Sequence, residues 1–301
     1  MTFDVGAFRG HFPALSREEG GEPVVWMDGP GGSQAPIPVI EAISGVLASG
    51  ISNLGGAFPA SRDADFLVEG ARGAVADLVG APTPEAIAFG PSMTALNLAL
   101  ARAVSKDWGP GDEVVVTRLD HDANVSPWLI AAERTGATVR WLDFDPDDGC
   151  TLDPIDGVLS TSTRLVAVTA ASNAVGTVPN IAGIITSAKE AGAFTVVDAV
   201  HHVPHRPTDF VGLGADALLC SPYKFYGPHA GVLALAESAW GLAPERIRPA
   251  PASHPGHWEI GTASFEALAG VTAAVEFIGS FGEGGSRRDR IVSALSAMDA
   301  H

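Results

Sequence analysis

The chain contains three lysines, Lys106, Lys189 and Lys224. The first two fall at the ends of amphipathic helical patterns, where lysine is ordinary surface. Lys224 follows an apolar strand pattern and sits among Tyr223, Phe225 and Tyr226. An amine in an apolar pocket is nucleophilic, as a Schiff-base lysine must be. The plainer reading, a loop lysine snorkelling to water, suits those neighbours less well. A second signal is Asp198, which ends the run Thr195-Val196-Val197. A half-buried carboxylate there needs a cationic partner, and a protonated ring nitrogen would suit it. Its plainer use is to cap the next turn. A third is Ser92-Met93-Thr94, which opens a helical pattern. Free first-turn amides and two hydroxyls make a phosphate cradle, although an ordinary N-cap needs only one of the hydroxyls. A cradle, a strand-end carboxylate and a loop lysine together point to pyridoxal phosphate.

Those residues need a scaffold that delivers them to one place. Strand-like apolar runs cover Ala86–Phe89, Glu113–Thr117, Thr138–Asp143, Arg164–Thr169, Phe194–Asp198, Ala215–Cys220 and Gly231–Ala236. Helical patterns lie between them at Ser92–Val104, Ala123–Thr135 and Pro179–Ala191, after earlier ones at Ile37–Leu47 and Ala57–Gly80. In the last of these Phe66, Leu67, Ala71, Val75 and Leu78 repeat near the helical period. Runs apolar on both faces, alternating with helices, predict an α/β fold: three layers, α/β/α, around a mostly parallel sheet. Ligands of such sheets bind at the carboxyl ends of strands. That rim gathers Gly90 to Thr94, Asp120-His121-Asp122, Ser172-Asn173, Asp198 and Ser221 to Lys224.

Outside this alternation, Pro23–Asp28 reads as a strand closed by Gly29-Pro30-Gly31-Gly32. Pro249–Pro255 reads as a loop, Ser264–Phe281 as a helix, and Arg287–Ala300 as the start of another. The expected organisation is an N-terminal arm (1–22), a large cofactor-binding domain (23–282), and the start of a truncated C-terminal domain (283–301).

Composition narrows the function. The chain has 301 residues, 46% hydrophobic and 18% charged, enough apolar material for a large core. Its formal charge of −17 disfavours nucleic acid and anionic membrane surfaces as partners. Cys150 and Cys220 form no metal-ligand or disulfide pattern. No signal-like start and no membrane-length apolar run are visible, so a cytoplasmic protein is expected. Asp198, His201, His202 and His205 could be read as metal ligands, but a Pro-containing turn provides no helical pair, and no metal is expected. Asp143, Asp145, Asp147 and Asp148 imitate a calcium loop, yet Asp148 and Pro154 occupy the positions that need Gly and Glu.

The segments resemble, in order, those of the class V aminotransferase and cysteine desulfurase family, of fold type I, from about Phe8 to Phe281. FGPSMTALNLALA is similar to its phosphate-binding segment, and LDHDANVSPW to the one carrying a histidine stacked on the cofactor ring. AASNAVGTV, FTVVDAVHHVPH, LLCSPYKFYGPHAGV and EIGTASFEALAG resemble four further segments. The resemblance implies pyridoxal phosphate, with Lys224 as the aldimine lysine and Asp198 at the pyridine nitrogen. It implies His121 on the ring face and Asn173 with His201 at the phenolic oxygen. Ser92, Met93, Thr94 and Ser221 would hold the phosphate, and Thr262 would reach the phosphate of a neighbouring subunit in a homodimer. The chain departs from desulfurases at His201, where they carry Gln, and at Tyr223, where they carry His. Their persulfide cysteine and substrate-carboxylate arginine belong to a C-terminal domain expected beyond His301. The resemblance implies C–S cleavage on cysteine or a related amino acid. An aminotransferase or epimerase on the same scaffold, or a non-catalytic fragment, are the alternatives.

Overall fold

The computed structural model describes residues 3–248 and 250–301; Met1 and Thr2, at the start of the expected arm, and Pro249, in the expected loop, lie outside them. The described residues form a seven-stranded sheet. Its strands are β1 (Ile87–Gly90), β2 (Glu113–Thr117), β3 (Thr138–Leu142), β4 (Thr163–Thr169), β5 (Phe194–Asp198), β6 (Ala217–Cys220) and β7 (Gly231–Leu235). Their order is β1-β7-β6-β5-β4-β2-β3. Strand β7 runs antiparallel to both of its neighbours, and every other pairing is parallel.

The two-residue alternation of a strand splits the core into two apolar layers. Val114, Val116, Leu165 and Ala167 face one side, where they meet α3 (Met93–Val104) and α4 (Ser126–Thr135). Val115, Val166 and Val168 face the other. That layer is covered by α1 (Ile37–Ser49), α2 (Pro59–Val79), α5 (Ile181–Glu190), α6 (Phe265–Gly279) and α7 (Arg287–Asp299). This is the three-layer α/β/α arrangement with a mostly parallel sheet. Helix α7 opens on a capping box, Ser286 with Asp289, and buries Ile291, Ala294 and Leu295 against α2 and α6 within the same core.

Two local expectations are corrected. Val24–Asp28 forms no strand: Glu22–Pro23 pairs with Glu18–Glu19 in a small hairpin, and Val25 and Met27 stand exposed. An apolar run without a neighbouring strand has no ladder to join. Phe66, included in the apolar repeat of α2, points to solvent at 70% exposure, while Ala71, Val75 and Leu78 are buried. The arm is anchored through Phe8 and Phe12, which pack on Tyr226 and Phe277. No described helix is long and apolar enough to cross a membrane.

Candidate active site

One cleft at the carboxyl ends of the strands is lined by Ser92, Met93, Thr94, His121, Asn173, Asp198, His201, Ser221 and Lys224, together with Pro30 and Tyr223. Nine of the ten residues singled out from sequence therefore converge. Thr262 does not. It is exposed and lines a separate pocket with Gly90, Pro91, His229 and Glu259.

Each wall has a local cause. Strand β1 ends at Gly90, and the N-cap of α3, Ser92, follows two residues later. The Ser92 hydroxyl accepts from the Ala95 amide at 3.1 Å, so this side chain caps the helix. The remaining first-turn amides have no intrahelical acceptor and are available to an anion. Gly231, at the start of β7, packs directly on the cradle. A Cβ there would lie 2.4 Å from the Ser92 carbonyl oxygen and 2.5 Å from the Met93 amide nitrogen. His121 caps a short turn before α4, its Nδ1 accepting from the Ala123 amide at 3.0 Å, which leaves the neutral ring's proton on Nε2. Asn173 rides on a turn closed by the Ser172 amide, which donates to the Thr177 carbonyl at 2.9 Å.

Asp198 ends β5 and is 4% exposed. Its Oδ1 accepts from the Val200 amide at 2.9 Å, and Oδ2 takes no hydrogen bond from the described residues. Burial raises its pKa to about 6, against the Val200 hydrogen bond and the charges of His121 and Lys224. His201 is held neutral, its pKa depressed to about 4 by burial first and then by the Lys224 charge. Lys224 is 9% exposed, donates from Nζ to the Pro30 carbonyl and lies 4.5 Å from the Tyr223 ring centroid. Tyr223 in turn stacks on His229, with centroids 4.7 Å apart.

Sequence reasoning missed three contributors. Asp120 lies beside Asp198 and ties two strand ends together. It accepts from the Thr117 hydroxyl at the end of β2, the Thr169 amide at the end of β4 (2.9 Å), and Asn124 (2.6 Å). Burial pushes its pKa up to about 7 despite the Thr117 and Asn124 hydrogen bonds, with the Asp198 charge adding to the rise. Pro30 contributes only a carbonyl, and Ser33 binds the lysine turn. Asp120 stood in the strand-end list without a role; the other two carry no sequence signal.

The alternative site readings gain nothing from the geometry. His202 Nδ1 engages the Thr208 hydroxyl at 3.1 Å. Asp145 closes its own turn by accepting from the Asp147 amide at 2.8 Å. Cys220 is fully buried, its thiol pKa raised by burial, and Cys150 sits outside the cleft.

The profile of the family described as Aminotransferase class-V matches residues 25–288. An uncharacterised protein of Mycobacterium tuberculosis is 34% identical over 305 residues, covering 100% of this chain and 75% of that protein. A cysteine desulfurase of Klebsiella pneumoniae is 31% identical over 298 residues, covering 94% of this chain and 73% of its own length. Among solved structures, the cysteine desulfurase CsdA from Escherichia coli superposes with a TM-score of 0.82 at 28% identity, over 92% of this chain and 72% of that one.

Proposed function

Because the chain belongs to the class-V aminotransferase family, and is thereby a pyridoxal-phosphate-dependent enzyme, we propose that it cleaves the C–S bond of cysteine or a related amino acid. The observation that carries this reading is the pairing of a buried amine with a buried carboxylate, Lys224 with Asp198, in one cleft beside a helix N-terminus. The relatives named cysteine desulfurase support the substrate class.

The residues present suit the cofactor. Asp198 offers an unpartnered carboxylate oxygen in the cleft, which matches a protonated ring nitrogen. The first turn of α3, the Thr94 hydroxyl and Ser221 would hold the phosphate. His121 would cover the ring face, Asn173 and neutral His201 would meet the phenolic oxygen, and Lys224 would engage the aldehyde carbon. When bound, pyridoxal phosphate supplies an electron sink for charge developing at the substrate α-carbon.

The chain's own residues do the rest. Ionised Asp198 would keep a proton at the ring nitrogen. With the cofactor and substrate bound, Lys224 Nζ would take the proton from the substrate α-carbon as general base. The Pro30 carbonyl accepts from the amine and fixes its place in the cleft. His121, with its proton on Nε2, would donate a hydrogen bond to a departing sulfur on the exposed side of the cleft, while the proton itself would come from the Lys224 ammonium left by the α-proton step.

A second reading, an aminotransferase or epimerase, is favoured by one observation: among the described residues neither Cys150 nor Cys220 lines the cleft. We also read the protein as a homodimer. Exposed Val25, Met27, Phe58 and Phe66 offer apolar surface to a second copy, and Thr262, away from its own cleft, is free to serve the partner's.

The deciding experiment is the visible spectrum of the purified chain with added pyridoxal phosphate, before and after borohydride, with peptide mapping. A label on Lys224 is expected, followed by sulfide release from L-cysteine. Lys224→Ala should abolish both label and turnover with an unchanged circular dichroism spectrum. A label on Lys106 or Lys189 instead overturns the assignment.

A further inference from the structure

The turn that carries Lys224 is closed by a residue from the other end of the chain. Within residues 221–227 the Lys224 amide donates to the Ser221 carbonyl at 3.0 Å, and the Phe225 and Gly227 amides donate to the Pro222 carbonyl, both at 2.9 Å. The Tyr223 carbonyl and the Tyr226 amide, three residues apart, would bond directly to each other in a simple β-turn. Here they do not. The Ser33 hydroxyl is interposed, donating to the Tyr223 carbonyl at 3.0 Å and accepting from the Tyr226 amide at 2.7 Å. The Ser33 amide donates to the same Tyr223 carbonyl at 3.0 Å.

Two further features show that this geometry is held against a local preference. Tyr226 has φ +70°, a left-handed conformation that a bulky residue adopts only where its surroundings impose it. Its ring is fixed by Phe8 and Phe12, each 5.4 Å away between centroids. Three residues before Ser33, Pro30 presents the carbonyl that receives Lys224 Nζ. One short segment thus holds both the backbone of the lysine turn and the tip of the lysine.

We propose that Ser33 is a positioning residue for Lys224: its hydroxyl wedges the 223–226 turn open and sets the angle at which the amine enters the cleft. Only a side chain that donates and accepts at one atom can fill that place. Alanine would leave the Tyr223 carbonyl and Tyr226 amide to close on each other, turning the amine away from the Pro30 carbonyl. The inference rests on Lys224 being the cofactor lysine.

The test compares unsubstituted protein, Ser33→Ala and Ser33→Thr, each with added pyridoxal phosphate and borohydride. The readouts are the rate of label appearing on Lys224, the position of the visible band, and the melting temperature without cofactor. With three lysines in the chain, peptide mapping assigns the label cleanly. Ser33→Ala should slow labelling about tenfold or more, the scale of losing one or two well-placed hydrogen bonds, and shift the band. Ser33→Thr, which keeps the hydroxyl, should restore both. If Ser33→Ala is labelled at the unsubstituted rate with an unshifted band, or if Ser33→Thr fails to rescue while melting normally, the positioning role is wrong. If the unsubstituted protein carries no label on Lys224, the underlying assignment of the lysine fails instead.

Discussion

Gly231 meets the Ser92–Met93 peptide at a distance no side chain can share. Gly231→Ala places a methyl group 2.4 Å from the Ser92 carbonyl oxygen, and overpacking of this kind costs about 1–3 kcal/mol. The strain falls on the anion cradle, so weaker pyridoxal phosphate binding in a fluorescence titration should accompany a lower melting temperature. Residues like this mark the limit of what sequence shows. Lys224, Asp198, His121 and Asn173 were legible because they follow buried strands, and strand ends converge in any sheet of this class. Ser33, Pro30 and Gly231 act through backbone groups far away in the chain, and their partners exist only after folding. Ser92 was legible in position, and its hydroxyl oxygen also accepts from the Ala95 amide, which leaves its O–H free to donate.

At the scale of elements, the outer edge of β1 shows how a loop is tied to the sheet. Among the described residues strand β1 pairs only with β7. On its free side the Phe89 amide donates to Glu259 Oε1 at 2.9 Å, and Arg72 of α2 bridges Glu259 Oε2 (2.7 Å) to the Ile87 carbonyl. Both side chains are largely buried, 13% and 17% exposed. Arg72→Ala would strand the Glu259 charge, at a cost of about 3 kcal/mol or more, measurable by urea denaturation. It should also loosen the segment carrying Thr262. Glu259→Gln, which keeps an acceptor for the Phe89 amide, should cost less. The strands themselves were readable because apolar runs bounded by Gly and Pro dominate here. The exception, Val24–Asp28, failed because periodicity reports apolar character and not what covers it. The same is true of Phe66, whose place in the repeat was right and whose direction was not.

For the whole molecule, two carboxylates, half-buried Asp120 and buried Asp198, give a definite pH dependence in the cofactor-free state. Folded Asp120 and Asp198 have pKa values of about 7 and about 6, raised by burial from the ordinary 3.8. Burial favours their protonated forms, so their contribution to stability is complete below about pH 4 and is lost as pH rises through 6 to 7. Asp120→Asn does not titrate in that window. Its melting temperature, relative to the unsubstituted protein, should therefore rise between about pH 4 and about pH 8. A constant difference across that range would show that the pKa of Asp120 is not raised. The association state is a second property at this scale. Sedimentation should give a dimer, and Phe66→Glu, a charge on an exposed apolar face, should shift it toward monomer.

The placement of β7 has a consequence for how the protein is made. Residues 87–90, which lead into the anion cradle, find their ladder partner only in residues 231–234. A growing chain will have presented Ser92, His121, Asn173, Asp198 and Lys224 before that partner exists. Pairing across so long a stretch of sequence is slow, because loop closure must precede any gain from contact. The nascent protein therefore holds these proposed ligands before it has a pocket, and the cofactor can reward only the finished sheet. Its arrival is a test of completed folding, applied once the last strand has threaded between its two neighbours.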